Sequence, residues 1–292
     1  MLNVFNIRLY ASHAIKQLLW LAMVIGWTDV SLAGEPVYNS QSLSAWLVSH
    51  ESTPKDDSRG QQLFVDAISA MGTNALPGLI TQLDPPISTN QLYILSAIEA
   101  CRILGPAAQP AIPALAKRLA QGIPSAAEAL HAIGPETIPA LAETLISMPP
   151  TCPAQYRIAK VLGRYGTQAR SAVPQLVQTM DKSEFNSVRS AAARALGTIA
   201  GELAATEPQS KEVLQAKAAL LIALSTKAEW LQCDIAEALG KFKESASEAA
   251  PILSRLLHEK RQKGQVDAIY RNLEEALGTI DPKGLYRGGG TS

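Results

Sequence analysis

The sequence lacks net charge: 26 Lys and Arg stand against 26 Asp and Glu in 292 residues. A balance of this kind gives no general pull toward nucleic acid or an anionic membrane. Cysteine is scarce. Cys101, Cys152 and Cys233 lie far apart with no C-x-x-C pair, which excludes a thioredoxin-like motif and makes no disulfide the expectation. The histidines, His13, His50, His131 and His258, fall in separate regions, whereas metal sites gather their ligands. No metal and no cofactor are expected, and His131 is expected to face solvent. Sustained period-2 runs of Val, Ile and Thr are missing, so strands are not expected. G-x-S-x-G, H-E-x-x-H and Walker loops are also missing. Adjacent carboxylates such as Glu274 and Glu275 point to different helix faces. No catalytic residues are assigned, and the chain is read as not an enzyme. Aromatics make up only 5% of the residues against 47% hydrophobic overall. Alanine fills much of the difference, and small side chains suit closely stacked helices.

Residues 1–33 read as a targeting segment. Arg8 and Lys16 supply a positive start, residues 18–27 are uncharged and apolar, and Ser31-Leu32-Ala33 places small residues before a cut between Ala33 and Gly34. Ten apolar residues are short of the roughly 20 that span a bilayer. The expectation is a cleaved signal peptide and a periplasmic or secreted protein, the alternative an N-terminally membrane-anchored one. Cleavage removes Arg8, Lys16 and Asp29, leaving 26 − 2 = 24 basic and 26 − 1 = 25 acidic residues, net −1, so no stable membrane insertion is expected afterwards.

What the sequence does contain is a repeat. In residues 125–145, SAAEALHAIGPETIPALAETL, an apolar helical face reaches Gly134, Pro135 blocks continuation, and a second helix opens with Ile138-Pro139. Glycines at equivalent places are Gly72, Gly105, Gly134, Gly163, Gly197, Gly240 and Gly278, each read as a helix end. The positions one, two and five before every one of them are apolar, where composition alone predicts about half. Proline recurs early in the second helix at Pro77, Pro113, Pro139, Pro174 and Pro251. The unit between Gly197 and Gly240 carries an insert at about 201–210 and a long apolar helix at 211–224. The chain divides into four regions: 1–33 signal peptide, 34–60 capping segment, 61–282 repeats, and 283–292 a Gly-rich disordered tail. In the capping segment Leu43, Trp46 and Leu47 share one side of a short helix.

The run AAEALHAIGPETIPALAETL, and Asp181 with Val188-Arg189 before AAARALG, resemble HEAT repeats of the phycobilisome-lyase type, as found in exported bacterial proteins. The resemblance spans about 61–282. It implies an all-α fold, a right-handed α-α superhelix in the manner of HEAT and armadillo solenoids with about seven helical pairs. It also implies an Asp–Arg ladder, for which Asp181 and Arg189 alone are suited, and a concave face formed by the helices before each glycine. Polar positions on that face lie six and three before the glycine. In chain order they read Asp66 and Ser69, Glu99 and Arg102, Glu128 and His131, Arg157 and Lys160, Ala191 and Arg194, Asp234 and Glu237, Asn272 and Glu275. The signs run acidic first, basic through Arg157, Lys160, Arg164 and Arg194, then acidic again; this basic centre, with Arg102 and His131, is the expected contact with a protein or peptide partner, an acidic one by charge. The expectation is a non-enzymatic scaffold of the bacterial cell envelope. A bilin lyase is the alternative that the resemblance also implies, and a nucleic-acid-binding HEAT-like protein is disfavoured by the neutral charge and the leader.

Overall fold

The computed structural model describes residues 34–84, 92–225, 228–265 and 267–286; the proposed leader, Ala33 included, and residues 287–292 lie outside the described residues. Among the described residues the protein is all-α apart from one short hairpin, a small departure from the expectation of no strands. Strands β1 (Val37–Tyr38) and β2 (Gln41–Ser42) pair antiparallel around Asn39 and Ser40, both at positive φ (48° and 61°), the backbone that a two-residue hairpin loop needs. Ser42 then caps helix α1 (Leu43–Ser52) by accepting the Ala45 N–H. Leu43, Trp46 and Leu47 are buried, and the Trp46 indole N–H donates to the Tyr38 carbonyl at 3.2 Å.

Thirteen further helices, α2 to α14, complete the described residues. The first set is α2 (Ser58–Met71), α3 (Leu76–Leu83), α4 (Leu92–Leu104), α5 (Ile112–Ala120), α6 (Ser125–Ile133) and α7 (Ile138–Ser147). The second is α8 (Gln155–Arg164), α9 (Val173–Lys182), α10 (Asn186–Ala204), α11 (Lys211–Ala223), α12 (Glu229–Gly240), α13 (Ala250–Gln262) and α14 (Ala268–Ile280). Each of the five motif prolines is the second residue of its helix, α3, α5, α7, α9 or α13, where an amide N–H would have no partner within the helix. Each of these helices comes after a 3-10 turn that buries small side chains, such as Ala108 and Ala111, or Ala169 and Ala172.

Two layers result. Helices α2, α4, α6, α8, α10, α12 and α14 pack one on the next, and α3, α5, α7, α9 and α11 do the same. The packed hairpins are α3 with α4, α5 with α6, α7 with α8, α9 with α10, α11 with α12 and α13 with α14. Helices on either side of the glycine, such as α6 and α7, touch little and meet through their 3-10 turn. The sequence unit 125–145 therefore spans a corner between two hairpins.

The glycines divide into two kinds. Gly72, Gly105 and Gly134 end their helices at positive φ, as expected. Gly240 is the last residue of α12, a helix end as expected, whereas Gly163, Gly197 and Gly278 lie within α8, α10 and α14, so the reading of these three as helix ends is corrected. The chain after α8 turns instead at Gly166 (φ 54°) and, after α12, at Lys243 (φ 52°). The helical glycines allow close approach. A Cβ on Gly197 would lie 2.6 Å from the Ala238 Cα, one on Gly163 3.2 Å from the Ala195 Cα, and one on Gly240 3.6 Å from the Ala276 Cα. Each partner stands two residues before the next glycine, which accounts for the alanines at that place.

The expected Asp181–Arg189 pair does not form. Arg189 Nε donates to the Met180 carbonyl at 3.0 Å, at the C-terminal end of α9, where carbonyls have no partner within the helix. Gln155 and Gln232 do the same for Leu145 and Leu224. Arg189→Ala is expected to destabilise by about 1–2 kcal/mol, and Asp181→Ala by less than about 0.5 kcal/mol. Equal losses in urea denaturation would restore the ladder.

Gly201 and residues through Ala204, expected in an insert, extend α10; the apolar helix expected after it is α11. At the far end, the Tyr286 N–H donates to Asp281 Oδ2 at 2.9 Å and the Ser254 hydroxyl to the Tyr286 carbonyl at 2.7 Å. Residues 283–286 of the expected disordered tail thus fold back on α13.

Candidate functional site

The stripe residues lie on the layer of even-numbered helices, and most of its cations are already paired. Arg102 Nε donates to Glu99 on the same helix at 2.8 Å, and this bond holds the guanidinium pKa above its ordinary value. Arg164 Nη1 reaches both Glu128 oxygens, at 3.0 and 2.9 Å, linking α8 to α6. That bond lowers the Glu128 pKa; desolvation opposes it, and the charges of Arg164, His131 and Lys160 add to the lowering. Arg194 Nη2 lies 2.6 Å from Asp234 Oδ1, linking α10 to α12, and 3.7 Å from Glu237. Asp234 is nearly buried, its side chain 11% exposed, and it also accepts from the Ser190 hydroxyl. Arg157 and Lys160 are exposed and have no hydrogen-bond or ion-pair partner among the described residues. The basic centre therefore reduces to two cations on α8 without partners, flanked by neutralised arginines.

His131 is half-buried, which corrects the expectation that it faces solvent. Its ring tilts against Tyr165 with centroids 5.2 Å apart. Burial and then the Arg164 charge push its pKa down, and Glu128 opposes them. Tyr165 reaches back from α8 to the corner after α6. Its hydroxyl lies 3.0 Å from the Leu130 carbonyl, 2.8 Å from the Gly134 carbonyl and 2.8 Å from the buried Thr137 hydroxyl. Burial pushes the phenol pKa up, so the O–H stays protonated and donating at neutral pH. Tyr165→Phe is expected to cost about 1–3 kcal/mol, read by thermal or urea melting; an unchanged melting curve would remove Tyr165 from the joint between units.

Lys160 and Arg164 from α8 and Arg194 from α10 line a groove of about 580 Å³ between the two helices. Its floor is made of small residues, Ala159, Gly163, Ala191 and Ala195. Tyr156 and Trp230 border it, 40% and 43% exposed. Sequence reasoning passed over these two rings, although exposed aromatics in a chain so poor in them were a signal. Ala191, the apolar exception in the polar stripe, was another.

Elsewhere the polar clusters are internal. His50 stacks on Phe64 and lies within hydrogen-bond distance of Ser96 and Gln61, while Ser96, fully buried, donates to Glu51. Cys101 is buried, which pushes its thiol up to about 12, so it stays protonated at neutral pH. Among the described residues no group of three or more His, Cys, Asp and Glu side chains is placed to hold a metal ion.

No protein-family model matches the chain, and no curated protein matches it. Among solved structures it is similar to one engineered protein at 21% identity, over 81% of this chain and 68% of that one, with a TM-score of 0.44. A second engineered protein is 19% identical over 81% of this chain and 96% of its own, with a TM-score of 0.34. At these scores the description of the architecture stands on the chain's own geometry.

Proposed function

We propose that this chain is a non-enzymatic scaffold of HEAT-like repeats in the bacterial cell envelope. About seven helical pairs stack as a right-handed superhelix, and the even-numbered helices line a concave face that holds a protein or peptide partner. The two packed layers and the recurring Gly–Ala contact support the superhelix, because repeats of this kind meet only their neighbours. The observation that carries the binding surface is the state of its cations. Arg102, Arg164 and Arg194 are paired within the chain, whereas Arg157 and Lys160 stand exposed without partners, as a surface kept for an external acid would.

The test uses the full-length protein as bait for envelope extracts. Arg157→Glu with Lys160→Glu is expected to abolish capture of a reproducible partner, while Lys182→Glu on the other layer leaves it intact. Capture that ignores the α8 pair sinks the proposal. Export is tested separately by expression with a C-terminal tag: a mature product that begins elsewhere than about Gly34 rejects the cleavage site.

A further inference from the structure

The groove beside α8 exists because one side chain is small. Six residues before the glycine, Glu128 on α6 and Asp234 on α12 supply the acids that receive Arg164 and Arg194. On α10 the same position is Ala191. An acid is missing there, a cavity stands in its place, and Lys160 borders it without a partner. No carboxylate lines the groove; of its three cations Arg164 and Arg194 are paired with Glu128 and Asp234, and Lys160 is left without an ion-pair partner among the described residues. Its residues Tyr156, Ser187 and Trp230 each sit in the first turn of a helix, α8, α10 and α12. At α8 the first N–H groups, those of Gln155, Tyr156 and Arg157, already donate to the Cys152, Pro153 and Ala154 carbonyls, so the pull on an anion there comes from Lys160. The half-exposed rings of Tyr156 and Trp230 offer apolar area beside that positive field.

We infer that this groove binds an extended peptide segment, placing a carboxylate side chain where Ala191 leaves an acid missing, against Lys160, and an adjacent apolar side chain against Tyr156 and Trp230. This rests on the scaffold reading and narrows its partner. A discrete acid fits better than a continuous polyanion. Glu128 and Glu237 stand on the neighbouring helices α6 and α12, and a nucleic acid or an anionic polysaccharide running across the layer would meet them. A volume of about 580 Å³ falls within the range of roughly 300–1,000 Å³ usual for small-ligand sites, and suits two or three side chains.

The experiment titrates full-length protein with an acetylated ten-residue peptide of alternating Glu and Leu, by calorimetry. The Glu peptide should bind at least about tenfold more tightly than its Gln counterpart, the scale of one charge-assisted contact. Lys160→Glu and Trp230→Ala should each weaken it by a similar factor. Ala191→Glu should weaken it too, by supplying the acid from within. Should Ala191→Glu fail to fold, Lys160→Glu, at an exposed site, carries the same test. No measurable binding, equal affinity for the Glu and Gln peptides, or heparin binding that displaces the peptide and survives Trp230→Ala would each overturn the inference. If the peptide fails while the Arg157 and Lys160 reversal still abolishes partner capture, the groove chemistry falls and the scaffold stands.

Discussion

Gly197→Ala is expected to destabilise the protein by about 2–3 kcal/mol. The sign is the informative part, since the same exchange in an open helix interior stabilises by about 1 kcal/mol. Gly197 lies inside α10, and a Cβ there would stand 2.6 Å from the Ala238 Cα and 2.9 Å from its carbonyl oxygen. Both are backbone atoms of α12, so relief requires the two helices to move apart, with loss of packing around Leu196, Ile199 and Leu239. Gly163→Ala, with its nearest contact at 3.2 Å, should lose less. Gly240→Ala meets first the Thr279 hydroxyl at 3.1 Å and backbone only at 3.6 Å, and should be close to neutral. Urea denaturation of the three variants tests the order. A Gly197→Ala protein as stable as its parent would mean that α10 and α12 are not held at this spacing.

Trp46→Ala is expected to cost about 3–5 kcal/mol, the range for removing a large buried aromatic. Trp46 is 8% exposed, and its ring lies 6.2 Å from that of Tyr38. Helix α1 packs on α2 and α4 and approaches α3 so closely that a Cβ on Gly78 would meet Leu43 at 2.8 Å. Among the described residues it closes the first end of the stack, over the apolar faces of α2 and α4. Loss should therefore be local first. Hydrogen exchange should quicken in α2, α3 and α4 before it changes in α12 and α14. Trp46→Phe keeps most of the packing and gives up the bond to the Tyr38 carbonyl, a loss of about 1 kcal/mol. Protection that falls uniformly along the chain would deny the capping role.

Helices with Pro at the second position, and the apolar faces before each glycine, were legible because local chemistry and burial agree there. The role of the glycines was legible only in part. A glycine at a helix stop and one at a helix crossing look alike in a single chain. The next residue separates some of them: Gly105 and Gly134 precede proline, whereas Gly163, Gly197 and Gly240 precede residues that can continue a helix. The cations were legible as a list and not as a surface. That Arg164 and Arg194 are paired, and Lys160 is not, depends on acids 36 and 40 positions away in the chain, on neighbouring helices. Gln155 and Gln232 stand eight residues before their glycines, as Arg189 does, so their equivalence of position was legible; their shared role was not, because a carbonyl at a helix end accepts any donor long enough to reach it.

The distances between successive glycines at equivalent places range from 29 residues, as from Gly105 to Gly134, to 43, Gly197 to Gly240. Yet Gly105 meets Ala132 across an interval of 29 residues as Gly197 meets Ala238 across one of 43, each partner standing two before the next glycine. Chain length and stacking geometry are thus uncoupled, and surplus residues collect in the exposed stretch 205–209 between α10 and α11. That stretch is a natural splice point: a tag or a whole domain inserted there would ride on the outside while the joint between Gly197 and Ala238 keeps its register.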